Sequence, residues 1–227
     1  MSTSGSYDST STMTNIIYDA FALINAHDPG ETLPSEKWAH SKRVLNQLIN
    51  FMSVREGLWL RTEVSHTLTP GTASYTVGDG ETIDTPKPMR ILDARRTVSS
   101  VDIPMDIIGR DEYVSIPNKT LQTGPLMLYY DQQRDTGTLY VWPTGSSSDK
   151  TITFTSSRPI QDFDDEGNNP DLPKEWILLL TYMLAEKLAP TYLAGVVPPG
   201  VASGKLEMMA SILSYDQEIT SVKFQPV

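Results

Sequence analysis

The period of the hydrophobic pattern changes twice along this chain, and that change limits the fold more than any single motif. Between residues 14 and 27, Ile16, Ile17, Ala20, Phe21, Leu23 and Ile24 recur at helical spacing. Asp28-Pro29-Gly30 is the expected stop, because proline cannot continue a helix. Ser35 is placed to cap a second helix through its hydroxyl. That helix carries Trp38, Leu45, Leu48, Ile49 and Met52 on one stripe and is expected to end at Gly57. Over residues 58–160 the period falls to two and turn residues fill the gaps. The pattern predicts strands over 58–68, 74–77, 89–98, 126–130, 139–142 and 151–156, rich in the Tyr, Thr, Val and Ile that suit a pleated surface. Asp135-Thr136-Gly137 predicts a tight hairpin loop. Asp111 and Glu112 favour a short helix start within 109–113.

Beyond residue 160 the helical period returns. Leu172-Pro173 sets a helix entry with proline at the first helical position, where its missing amide costs nothing. From Trp176 to Leu188 the pattern is apolar on almost every side, so this helix needs cover from its own domain or from a neighbouring subunit. Trp176 and Leu180 are its candidate seam residues. Pro190 is the expected end, and Pro198-Pro199-Gly200 breaks the chain again. A last helix over 201–218 carries Leu206, Met209, Ala210, Ile212 and Leu213, and 219–227 reads as an extended tail. The expectation is an α+β protein: a helical bundle built from both chain ends, with an inserted antiparallel, sandwich-like β-rich domain. The boundaries follow as a flexible arm over 1–12, bundle helices over 13–57, the β-rich domain over 58–160, bundle helices over 161–218 and the tail over 219–227.

The formal net charge of −10 argues against holding nucleic acid by neutralising its phosphates. It is compatible with letting DNA pass without sticking. With no cysteine, the chain has no disulfide, zinc–thiolate site or thiol nucleophile. No apolar run approaches the roughly 20 residues that span a bilayer. The Ser- and Thr-rich start lacks the basic and apolar regions of a secretory signal.

Several patterns invite chemistry and each has a plainer reading. Asp162, Asp164 and Glu166-Gly167 begin like a calcium-binding loop, but the twelfth position, which needs a bidentate glutamate, is Pro173. The plainer reading is a solvated turn that caps the following helix. Paired carboxylates serve glycosidases, yet with 28 acidic residues some pair always looks suggestive, and none stands in a glycosidase motif. His27, His40 and His66 match no metal-ligand spacing, and a cationic His27 suits the negative end of the first helix. Trp38, Trp59, Trp142 and Trp176 lack the interleaved basic residues of a single-strand stacking platform, so they read as core. Gly78-Asp79-Gly80 is a turn, and no P-loop, dinucleotide or Gly-x-Ser-x-Gly motif occurs. Arg95-Arg96 is the one basic pair that interrupts a strand pattern, and its expected role is to face the carboxylates of a neighbouring subunit.

In order along the chain stand Leu45-Asn46, Gly57-Leu58-Trp59, Arg90-Ile91-Leu92, Pro104-Met105, Arg110-Asp111-Glu112-Tyr113, Gly137-Thr138-Leu139-Tyr140-Val141-Trp142-Pro143, Arg158-Pro159-Ile160-Gln161-Asp162-Phe163-Asp164 and Pro173-Lys174-Glu175-Trp176. In that order and spacing the sequence resembles the head-to-tail adaptor proteins of tailed bacteriophages, also called tail accessory factors or packaged-DNA stabilisation proteins. It is more distantly similar to tail tubular protein A of short-tailed phages. The resemblance implies a ring, usually of twelve copies, bolted beneath the portal after DNA packaging. It also implies a bundle facing the portal, a β-domain turned toward the tail or nozzle protein, and a C-terminal extension reaching into the portal. Here that extension is 219–227, with Ile219, Val222, Phe224 and Val227 as its portal-binding residues. The expected function is therefore structural and non-enzymatic: a virion protein of the neck, assembled in the host cytoplasm, joining portal to tail and helping to retain packaged DNA. Double-stranded DNA passes the lumen unbound, and neither a cofactor nor a membrane is involved. The alternatives are a virion-associated peptidoglycan hydrolase and a neck or tail-tube ring that does not touch the portal.

Overall fold

The computed structural model describes residues 5, 9–28, 30–54, 60–146 and 151–215. In chain order the elements are α1 (Met13–Leu23), α2 (Ser35–Ser53), β1 (Arg61–Thr67), β2 (Ser74–Gly78), β3 (Ile83–Asp84), β4 (Arg90–Val98), β5 (Val101–Pro104), β6 (Asp106–Ile107), α3 (Arg110–Ser115), β7 (Met127–Gln132), β8 (Gly137–Trp142), β9 (Thr151–Ser157), α4 (Lys174–Tyr192) and α5 (Pro199–Tyr215). This is an α+β protein. It divides into two compact units, one of Met1–Leu58 with Ile160–Val227 and one of Trp59–Pro159.

In the helical unit, α1 begins at Thr12, whose hydroxyl accepts from the Asn15 amide at 3.4 Å. It stops earlier than the proline signal predicts. Asn25 takes a left-handed φ of 49°, and the amides of Ala26 and Asn25 close back on the carbonyls of Phe21 and Ala22, both at 3.1 Å. This is the Schellman ending, with asparagine in the place usually given to glycine. The start of α2 is also shifted by one residue. Pro34 is its N-cap, its carbonyl taking the Trp38 amide at 3.0 Å, so Ser35 lies inside the first turn. The same shift occurs at α4, where Pro173 is the N-cap rather than the first helical residue. Pro190 does not end α4. It sits in the last turn, and the helix runs on to Tyr192 before Ala194 and Gly195 turn left-handed. Proline takes up its first-position role at α5 instead, in Pro199. The expected stop at Gly57 lies outside the described residues.

The central helix of this unit is α4, which packs against α1, α2 and α5. Its Trp176, Leu179, Leu180, Leu184 and Leu188 are buried with Ile16, Ile17 and Phe21 of α1 and Leu45, Ile49 and Met52 of α2. Each fully buried side chain of this size contributes about 1.5–3 kcal/mol. By contrast α5 buries only Val201 among its described apolar residues. Its backbone comes close to α4 at Gly204, where an added Cβ would lie 2.5 Å from Tyr182 Cε1.

The β unit holds two sheets, ordered β1-β9-β4-β5 and β3-β2-β8-β7-β6. Its longer pairings are antiparallel, and the two-residue strands β3 and β6 join the second sheet in parallel. Inward-facing Ile91, Ala94, Ile152 and Phe154 of the first sheet share one core with Tyr75, Val77, Leu128, Leu139 and Val141 of the second. Two sheets closing on one core make a sandwich. Three strands, β3, β5 and β6, go beyond the six predicted. The turn between β4 and β5 explains one of them: Ser99 and Ser100 both carry positive φ, 49° and 66°, as a two-residue hairpin loop requires. A Ser-Ser pair in place of Asn-Gly hides that turn from sequence reading.

Candidate docking surfaces

Residues 160–171 cross the helical unit without secondary structure, and α2 supplies the polar groups they need. Asn46 clamps Phe163 on both sides, Nδ2 donating to its carbonyl at 3.1 Å and Oδ1 accepting from its amide at 3.0 Å. The start of the segment is held by Ser53, whose hydroxyl accepts from the Ile160 amide at 3.1 Å, and Lys42 donates to the Asp164 carbonyl just past Phe163. Residues 42, 46 and 53 fall on one face of a helix of 3.6 residues per turn. The clamp lets the Phe163 ring go fully into the core while its neighbours Asp162 and Asp164 stay exposed.

The acidic stretch then folds on Asn168, whose Oδ1 accepts from the amides of Asp164 and Asp165 at 3.0 and 2.7 Å. Its outward carbonyls serve a helix, but not the expected one. Met13 donates to Asn168 O at 2.9 Å, and the Thr14 hydroxyl donates to Glu166 O at 2.9 Å. The turn therefore caps α1, across the unit, rather than the α4 that follows it in sequence. Among the described residues no group of three or more His, Asp or Glu is arranged to hold a metal ion.

The three histidines are separately employed. His27 meets the Glu31 carbonyl at 2.9 Å and packs its ring on Tyr18 and Phe21. His40 Nδ1 meets the Tyr192 hydroxyl at 3.0 Å. His66 lies edge-on to Tyr75 at 4.9 Å, and burial lowers its pKa. On the outer face of the second sheet Tyr129 and Tyr140 are cross-strand partners, and Tyr113 of α3 stacks on Tyr129 and leans tilted on Tyr140, with ring centroids 4.9 to 5.6 Å apart. Tyr130, on the inner face, covers Gly137 and donates to Pro88 O at 2.9 Å, and burial pushes its pKa up to about 12. Trp142 donates to Asn118 O at 2.8 Å, Trp176 is buried and Trp38 is half-buried. Trp59 lies outside the described residues.

The expected seam residues have these positions. Arg95 reaches across β9 to Glu63 of β1 at 3.0 Å and also meets Asp102 of β5 at 3.1 Å. Its guanidinium pKa is raised, first by the hydrogen bond to Glu63. The carboxylates that Arg95 meets are thus those of its own sheet. Arg96 points to the other side of the strand and is half-buried beside Ile152 in register. Trp176 and Leu180 are 4% and 0% exposed, so their cover comes from their own chain. The apolar side chain that α4 leaves open is Leu178, 54% exposed. Ile219, Val222, Phe224 and Val227 lie outside the described residues.

Among the described residues the surface of the helical unit holds two grooves. One, of about 490 Å³, runs between α2, α4 and α5 and is lined by Val44, Leu48, Phe51, Met183 and Met209 with Lys187. Across it Lys205 binds Glu186 bidentately, at 2.7 and 2.9 Å. The other, of about 710 Å³, lies between α1 and α4, with Ala22, Leu23, Ile177 and Leu178 beside Asp19 and Glu175. Sequence reading placed the apolar seam on α4 alone and missed both grooves. The signal available was the apolar composition of 201–213, more than a helix resting on one neighbour can bury.

The helical unit thus presents apolar furrows and a half-covered helix, a surface on which another chain can dock. The chain belongs to the SU10 adaptor protein family, whose profile matches residues 12–221. Among the curated proteins, none matches it. As a member of that family it is a structural adaptor of a bacteriophage, a component of the virion neck that associates with other head and tail proteins. No helix among the described residues is long and apolar enough to cross a membrane.

Proposed function

We propose that this protein closes into a ring, of twelve copies, that joins the portal to the tail and keeps packaged DNA from leaking. The observation that carries the reading is the family match over residues 12–221, which takes in the helical unit and the β unit together. The mechanism is geometric. Each copy offers two different patches, and such heterologous contacts close into a ring when the rotation divides evenly. Trp176 and Leu180 act by holding the bundle that carries these patches, and Arg95 stiffens the β unit by tying β4 to Glu63 of β1 and Asp102 of β5. Ile219, Val222, Phe224 and Val227 insert into the portal. The surplus acidic charge suits a lumen through which DNA slides, since repelled phosphates do not bind the wall.

Assembly takes place in the host cytoplasm, on heads already filled. Electron microscopy of the purified chain mixed with portal tests the reading: rings on the portal vertex are the expected outcome, and a chain that stays single and off the portal contradicts it. Deleting residues 219–227 should abolish portal attachment, and attachment that persists argues against an anchoring tail.

A further inference from the structure

We infer that the seam between copies is formed by the two grooves of the helical unit, the α2–α4–α5 groove of one copy taking the α1–α4 side of the next. The inference rests on the ring reading and names the surfaces that make it. Both grooves have apolar floors that the described residues leave uncovered. Phe51 at the first is 60% exposed, and Leu178 at the second is 54% exposed.

Their charges are opposite. At the α2–α4–α5 groove the one carboxylate, Glu186, is taken up by Lys205, which leaves the exposed Lys187 to set the sign. Just outside the lining the exposed Arg43 and Glu207 offset each other, so the sign rests with Lys187. This is a locally positive rim on a chain whose net charge is −10. At the α1–α4 groove the exposed Asp19 and Glu175 outnumber Lys174, so that rim is negative. An apolar floor inside a charged rim is the usual anatomy of a protein–protein contact, and rims of opposite sign fix register and favour the right partner. A patch that differs from its complement on the same chain cannot close a two-fold dimer, and it repeats from copy to copy instead. The occupant that satisfies both grooves is therefore a second copy of this chain.

The test uses the full-length protein and two charge reversals, Lys187→Glu and Glu175→Lys. Self-association is followed by sedimentation over a concentration series, alone and with portal protein. Each variant alone puts like charges across every seam and should associate at least about tenfold more weakly than wild type. An equal mixture alternates the variants around the ring, which restores opposite charges at every seam, so it should recover wild-type assembly. Unchanged assembly by either single variant overturns the groove pairing while leaving the ring itself intact. Weak single variants with no recovery in the mixture overturn it as well. Single variants that self-associate normally but lose the portal assign the groove to the portal instead. A wild-type chain that stays single in every arm removes the ring reading and the seam with it. Circular dichroism of each variant separates a lost contact from a lost fold.

Discussion

A segment with no secondary structure must find partners for its amides and carbonyls, since a buried unpaired group costs about 1–3 kcal/mol. In 160–171 many of those partners are side chains, and Asn46 matters most because it serves the donor and the acceptor of one residue. Asn46→Ala removes both bonds beside the fully buried Phe163, and we expect about 1–3 kcal/mol loss of stability in urea unfolding. Asn46→Asp keeps the acceptor for the Phe163 amide and sets a carboxylate against its carbonyl, so it should not recover the loss.

His66 provides a second residue-scale prediction. Burial lowers its folded pKa below the ordinary 6.5, so between those two values the unfolded chain binds the proton more readily. Its contribution to stability is present above pH 6.5 and is lost as the pH falls through the folded value. A melting profile of wild type against His66→Gln should show a steeper acid limb for wild type. Tyr130 acts at the other extreme: its folded pKa near 12 means that stability falls as pH rises from 10 to 12.

At the scale of elements, what the chain makes legible is what repeats. The six long strands and the four bundle helices follow from hydrophobic period, and proline marks where helices start. Where one residue decides, the signal is lost. Asn25 ends α1 because an asparagine tolerates left-handed backbone, and nothing in the apolar pattern announces it. Strand β5 depends on Ser99-Ser100 accepting two such conformations, which serine does reluctantly. Replacing the pair with Asn-Gly fits the turn better and should stabilise the β unit by about 1 kcal/mol, read as a higher denaturant midpoint. The grooves were hidden for another reason, since a groove belongs to two or three helices at once and sequence shows them singly.

The α4–α5 pair supplies the opposite case. Helix propensity favours Gly204→Ala by about 1 kcal/mol, but the added methyl meets Tyr182 at 2.5 Å. We expect Gly204→Ala to destabilise the pair, and Tyr182→Leu in the same chain to recover much of the loss, as thermal unfolding would report.

For the molecule as a whole, charge and docking surface divide the labour. An acidic balance of −10 argues against a tight grip on DNA, and a gel-shift titration with duplex DNA at physiological salt should show no complex. The helical unit's furrows are where stable association can be built, because covering their apolar floors with a second copy would remove that surface from water.

One bond made by the β unit has a wider reach. The Arg158 amide donates to the Leu60 carbonyl at 2.9 Å, so the sandwich begins and finishes at the same spot. To the helices on either side, everything folded between those two residues is equivalent to a tight bend, and its length adds nothing to the entropy of bringing them together. We expect, then, that a larger, smaller or different module spliced between those two residues leaves the helices their own fold, as circular dichroism of such a chimera would report.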